Sequence, residues 1–281
     1  MATRLAGYQP QYFPRLHYIA RILNADIFKC SDTLQYVRRH AYPPVHGKVE
    51  NGPSFQAHTP VKTARGLHLL DIPTQHVGKK EDRMLHTVGI EYGVPWHEKH
   101  LRTIEISYAK ASQFKKLFPS LVVLLSRRYG SLAECTVATT LWSLAIILEV
   151  PFAASGELSA AAIMGALQQS NFRLRKIVRM SELGMAPAKK GTGQDVNQWI
   201  IDTCRALGAD EYYMGGTASA AYIDHEQLKA AGITLVTQDW RCEEYSQQFP
   251  KTEFIPNLSI LDLVMNVEPR DARRILRTTT Q

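Results

Sequence analysis

Asp32, Gln35 and Tyr36 stand together just after a short apolar segment, Asp26 to Ser31. An ionised carboxylate there could hold an amine or act as a general base, with Gln35 and Tyr36 orienting a substrate through hydrogen bonds. A turn-capping Asp beside a packed Tyr is the plainer alternative. Arg38 and Arg39 follow, and an arginine suits a carboxylate or phosphate held by two parallel bonds, or simply faces water. Further on, Trp96-His97-Glu98-Lys99-His100 sets His97 and His100 on one helical face. A metal would need a third ligand from elsewhere and the zinc-protease motif is not spelled, so no metal is expected. His100 reads better as a general base titrating near neutrality, or as a packed ring. Lys110 could steady an oxyanion, contact phosphate or stay in water. Cys242 is the one cysteine in a polar context, and a thiolate there could accept an acyl group, but the adjacent Glu243 and Glu244 disfavour the thiolate. Gly215 and Gly216 permit close backbone approach to a ligand, with Tyr245 and Gln247 completing the pocket.

The elements around these residues read as α/β: a Rossmann-like, mainly parallel sheet flanked by helices, with a helical subdomain in the middle of the chain. Arg4 to Tyr8 predicts a strand stopped by Gln9-Pro10. Leu16, Ile19, Ala20 and Leu23 then follow helical spacing behind Pro14, and Asp26 to Ser31 predicts a second strand. If the two strands are parallel, the loop from Gln9 to His17 lies at a carboxyl edge, where ligands of such sheets bind. Tyr12, Arg15 and His17 are its candidate contacts beside Gln9. From Tyr42 to His76 the prolines and glycines permit only short strands, 55–61 and 67–72. Helices are expected over 96–108, 112–128 and 132–149, and Phe152 to Ser155 could form a strand. The basic stretch 159–192 suits a surface helix and loop, or a lid. Beyond it come a helix from Val196 to Leu207 closed by Gly208, strands at 212–214 and 233–236, a short helix after Asp224 and a last helix after Ser259. Trp142 and Trp199 read as core. A single domain of 281 residues is expected, with sub-regions 1–95, 96–192 and 193–281.

Hydrophobic residues at 45% and charged residues at 21% exclude wholesale disorder. The longest apolar run, Leu141 to Val150, is too short to span a bilayer, and no apolar signal core follows the first residues, so a cytoplasmic protein without membrane insertion is expected. Four scattered cysteines support neither a disulfide framework nor a structural zinc site. The net charge of +7 is uneven: residues 1–140 carry 19 Lys and Arg against 10 Asp and Glu, and nine of the ten histidines. Such a half suits an anionic ligand.

The opening Gln9-Pro10-Gln11-Tyr12-Phe13-Pro14, with Tyr18, Ala25-Asp26 and Asp32-x-x-Gln35-Tyr36, resembles the WbqC-like proteins. The resemblance continues through Trp96 with Lys99-His100-Leu101, Tyr108-Ala109-Lys110-Ala111, Ser155-Gly156-Glu157-Leu158, Gly208-Ala209-Asp210, Gly215-Gly216 with Tyr222, Tyr245 with Gln247, and Phe254 to Asp262. Arg15, His17, Pro43-Pro44 and Cys242 depart from the pattern. The resemblance implies a group-transfer enzyme of bacterial polysaccharide or natural-product biosynthesis: an acyl or aminoacyl (glycyl included) transferase forming an amide on a small amine acceptor. Its donor would be a carrier thioester, an aminoacyl-tRNA or an acyl phosphate, with an acyl carrier protein or tRNA as partner and no tightly bound cofactor. A weaker likeness links the first loop to the phosphate-binding loop of nucleotidylyltransferases, with His17 and Arg15 at a helix start, and implies an ATP-using activating enzyme instead. A third reading is a non-catalytic module for an anionic metabolite or tRNA.

Overall fold

A computed structural model describes residues 2–45, 48–75, 83–151, 160–184, 195–216 and 223–277. The expected strand at 152–155, the Ser155 to Leu158 motif, the run from Lys189 to Gly193, Thr217 and Tyr222 lie outside these residues. The centre is a five-stranded, all-parallel sheet flanked by helices, a Rossmann-like α/β fold. Its strands are β1 (Arg4–Tyr8), β2 (Ile27–Cys30), β7 (Lys176–Arg179), β8 (Glu211–Met214) and β9 (Thr234–Thr237), in the spatial order β7-β2-β1-β8-β9. The order runs outward from β1 in one direction and then reverses at β8, so the gap between the carboxyl ends of β1 and β8 is the topological switch point.

Helix α1 (Leu16–Leu23) joins β1 to β2, and α6 (Val196–Leu207) and α7 (His225–Ala230) make the later crossovers. Between β2 and β7 lies a long insertion. It holds the hairpins β3 (Arg39–Val45) with β4 (Lys48–Pro53) and β5 (His58–Thr63) with β6 (Gly66–Asp71), then helices α2 (Trp96–Tyr108), α3 (Phe114–Ser126), α4 (Leu132–Ile147) and α5 (Ala160–Gln168). Helices α8 (Ile260–Asn266) and α9 (Pro269–Leu276) close the described chain.

Strand periodicity divides the core. Ala6 and Phe28 point into a large apolar cluster shared with α1, α4 and α8, whereas Leu5 and Ile27 point the other way, onto Ile200, Ile201 and Cys204 of α6. The same alternation puts Gly7 and Lys29, directly paired across β1 and β2, on the α6 face. The Gln9 to Pro14 loop is anchored by its aromatics. Tyr12 and Phe13 are fully buried, and Phe13, at φ 36°, is held by Thr139 Oγ1 donating no further than its own helix while accepting from the Phe13 N–H, and by Thr59 Oγ1 donating to the Phe13 carbonyl.

Three expectations need correcting. The basic stretch at 159–192 contains an edge strand of the main sheet, β7, rather than only helix and loop. The hairpin β3–β4 forms despite Pro43 and Pro44, with an irregular register between Tyr42 and Val45 that accommodates them. Helix α8 is followed by another, α9, which Pro269 opens.

Candidate functional site

A cleft of about 640 Å³ opens at the switch point. Gly7, Tyr8 and Gln9 of β1 and its following loop, Ser31 beyond β2, and Met214 and Gly215 at the end of β8 line it. Trp199 and Ile200 of α6 form one wall and Phe55 contributes to another. Two basic side chains enter this space from opposite faces of the sheet.

Lys29 comes from the α6 face. It occupies the third position of a four-residue strand whose every residue is buried, and is itself 1% exposed. Its cross-strand neighbour is Gly7, and a Cβ added there would lie 2.9 Å from Lys29 Cε, so the missing side chain leaves the lysine stem its path. Nζ lies 3.5 Å from the centroid of the Trp199 ring, a close cation–π geometry. Among the described residues no carboxylate pairs with it. Burial lowers its pKa to about 7.

Arg21 comes from α1, on the other face. Its Nε donates to Gln238 Oε1 at 2.9 Å, its Cζ stands 5.4 Å from the Tyr8 ring centroid, and its Nη2 would be only 2.4 Å from a Cβ on Gly215. A side chain at Gly215 would require the Arg21 guanidinium to move aside. Gln238 is itself fixed, its N–H donating to the Met214 carbonyl and its Nε2 to that of His17. Burial lowers the Arg21 pKa, but guanidinium stays protonated throughout the neutral range. No described carboxylate faces it either. A buried cation without a counter-charge costs several kcal/mol, so this arrangement favours an anion in the cleft.

Of the residues expected from sequence, Gln9 and Gly215 line this cleft, and Gly216 follows it, exposed. Gln9 Oε1 accepts from Gln56 Nε2 at 2.7 Å, and the same buried amide donates to the Gln35 carbonyl, so Gln56 ties the two loops together. Asp32 is fully buried and directed to β7: it accepts from Arg179 Nε, from the Ser181 N–H and from Ser181 Oγ, at 3.0, 2.9 and 2.6 Å. With its oxygens so engaged it anchors a turn, and it does not line the cleft. His100 is also elsewhere. Its Nδ1 accepts from the buried Tyr12 hydroxyl at 3.0 Å, it bonds the Asp71 backbone, and burial lowers its pKa to about 4. It is a neutral core ring spanning α2 and the first loop, not a base open to substrate.

Tyr36 and Arg38 line a different cavity of about 570 Å³ together with Asp71, whose pKa burial raises to about 6. Lys110 is exposed beyond α2. Tyr245 donates to Asp262 Oδ1 and Tyr108 to Oδ2, each at 2.8 Å, while Gln247 brackets Ile255 through two backbone bonds. These bonds hold the C-terminal segment in place. Burial raises the Cys242 thiol above its ordinary value, outweighing the Asn257 N–H that its sulfur accepts at 3.2 Å, so the thiol is held protonated at neutral pH.

The first helix start is filled by the chain itself. The Leu16 N–H donates to the Leu258 carbonyl, and the His17 N–H and Nδ1 both meet Asn257 Oδ1 at 3.0 Å. Arg15 Nη1 donates to the Asn257 carbonyl. Burial lowers the His17 pKa to about 4. A phosphate at this N-terminus would have to displace Asn257.

Lys29, Arg21 and Trp199 were thus not foreseen as site residues. Their signal was local: a lysine inside Ile27-Phe28-Lys29-Cys30 and an arginine inside Ile19-Ala20-Arg21-Ile22 interrupt runs that the fold buries completely. Among the described residues no cluster of His, Cys, Asp and Glu could hold a metal ion, and no helix is long and apolar enough to cross a membrane. In comparison with known families, the model of the WbqC-like protein family matches residues 9–171 and 157–274. No curated protein and no solved structure matches the chain.

Proposed function

The chain belongs to the WbqC-like protein family, and from that premise we propose that it is a group-transfer enzyme, an acyl or aminoacyl transferase that forms an amide on an amine acceptor. The observation that carries the reading is the pair of basic nitrogens, Arg21 and Lys29, buried without carboxylates at the switch-point cleft. Activated acyl donors are anionic: the phosphopantetheine of a carrier thioester, the terminal nucleotides of an aminoacyl-tRNA, and an acyl phosphate all bear phosphate. Arg21 supplies a fixed charge for that phosphate, with Nη groups that meet no hydrogen-bond acceptor among the described residues. Gln9, held by Gln56, and the backbone at Gly215 position the acyl end, and Trp199 shields it from water. Cytoplasmic placement and a bacterial biosynthetic pathway belong to the same reading.

Hydroxylamine, a small amine that converts any activated acyl group into a coloured hydroxamate, provides the test. Purified protein is incubated with hydroxylamine and, in turn, acetyl phosphate, glycyl-tRNA and a glycyl-carrier thioester. Protein-dependent hydroxamate from at least one donor, reduced tenfold or more by Arg21→Met, is expected. Release of pyrophosphate from ATP with no hydroxamate from any donor would assign the protein to nucleotide activation instead. Binding without either reaction would make it a recognition module.

A further inference from the structure

We infer that Lys29 stands in the cleft as a neutral amine and takes the acceptor's proton during transfer. This deepens the reading above and rests on it for the identity of the reaction, whereas the state of Lys29 is a property of the free protein. The geometry leaves the amine few sources of stabilisation as a cation. It stands on a strand buried on both faces, its stem runs past Gly7, and the Trp199 ring face, a cation–π contact that only partly offsets the lost water, stands where a carboxylate would be needed. The titratable groups around it are Cys204 on α6, whose thiol burial raises to about 11, Tyr8 on β1, Tyr212 on β8 and Arg21 on α1. None carries a negative charge at neutral pH. With a pKa brought to about 7, half the molecules present a free amine lone pair at that pH. Arg21 cannot exchange its proton there. The two nitrogens therefore divide the work, one as permanent charge and one as proton acceptor.

The step balances without any further reactant. The acceptor's nitrogen bonds to the donor's carbonyl carbon, and the carbonyl π pair moves onto oxygen. Lys29 Nζ takes a proton from the resulting ammonium nitrogen. When the tetrahedral intermediate collapses, the carbonyl re-forms, the bond from carbon to the leaving group breaks, its electron pair goes to the leaving atom, and Lys29 returns the proton to the leaving thiolate, ribose oxygen or phosphate. General-base assistance of this kind contributes about 10²- to 10⁴-fold.

The protonation state is read first, on the full chain carrying [¹³C]lysine. The Lys29 Cε resonance, assigned by its loss in Lys29→Arg, should inflect near pH 7, while exposed lysines such as Lys110 titrate at ordinary values. An inflection of Lys29 among the exposed lysines overturns the inference. In the hydroxamate assay, Lys29→Arg and Lys29→Met should lower kcat at least a hundredfold, and Lys29→Arg, which places a permanent positive charge beside the anionic donor, should leave KM within about threefold. Transfer that proceeds at full kcat in Lys29→Arg overturns the role of Lys29 and leaves the transferase reading intact. An inflection near pH 7 with no transfer from any donor overturns the transferase reading, and with it the role.

Discussion

At the scale of single residues, Lys29 shows how a position poor for stability marks function. Its amine has a pKa of about 7 folded and an ordinary 10.5 as reference for the unfolded chain. Above pH 10.5 both states are neutral and burial of the amine carries no ionisation penalty. As pH falls from 10.5 to 7 the unfolded chain takes up a proton that the folded protein does not, and stability declines. Below pH 7 the penalty is complete, on the order of 5 kcal/mol. Lys29→Met, which keeps the volume and removes the titration, should therefore raise the thermal midpoint at pH 7 by several degrees and by much less at pH 10. An equal difference at both pH values would show that Lys29 is not a desolvated amine. The reverse holds for Asp32, whose buried carboxylate is satisfied by three donors and contributes structure. Residue type alone favoured Asp32 and His100 as acid–base groups. Burial and hydrogen bonding, which only the fold supplies, engage both of them, and the proposed base is a lysine instead.

Among the elements, helix α1 depends on chain far from it in sequence. Arg15, at the N-cap position just before it, makes no side-chain cap, and Asn257, from the segment before α8, accepts the His17 N–H in its place. Asn257 is itself at φ 55°, a left-handed conformation that asparagine tolerates better than alanine. Asn257→Ala should destabilise the protein by about 1–2 kcal/mol in urea unfolding, the usual worth of a helix cap. A change within a few tenths would show that Asn257 does not cap α1. The elements that carry strong local signals were legible in sequence: the β1-loop-α1-β2 opening, the apolar stripe of α4, and α6 with Gly208 at φ 66° closing it. Strand β7 was not, because Lys176 and Arg179 at the ends of a four-residue edge strand give no apolar run. Hairpin β3–β4 was hidden by its prolines, which only an irregular register admits.

For the whole molecule, the sheet order decides where chemistry can occur. Placing β8 beside β1 brings Gly215, far from it in sequence, against Arg21. That long-range adjacency is what no local pattern contains. Asp32, His100 and Gly215, each a candidate by residue type, do not share one hollow: Gln9 and Gly215 share the cleft, Asp32 faces β7, and His100 lies in the core between Tyr12 and Trp96. The basic excess of residues 1–140 does reach the cleft through Arg21 and Lys29, while Arg38 and Arg39 line the second cavity and Lys110 is exposed beyond α2. Charge counted over a half of the chain thus agrees in sign with the cleft lining but does not single out the residues that form it. The most direct test of a cationic switch-point cleft is a calorimetric titration of the protein with inorganic pyrophosphate at pH 7.5 and low ionic strength, repeated on Arg21→Met and on Gly215→Ala, which pushes the guanidinium aside. Binding that weakens at least tenfold in both variants is the predicted result; a wild-type protein that ignores pyrophosphate, or variants that bind it equally well, would contradict the account.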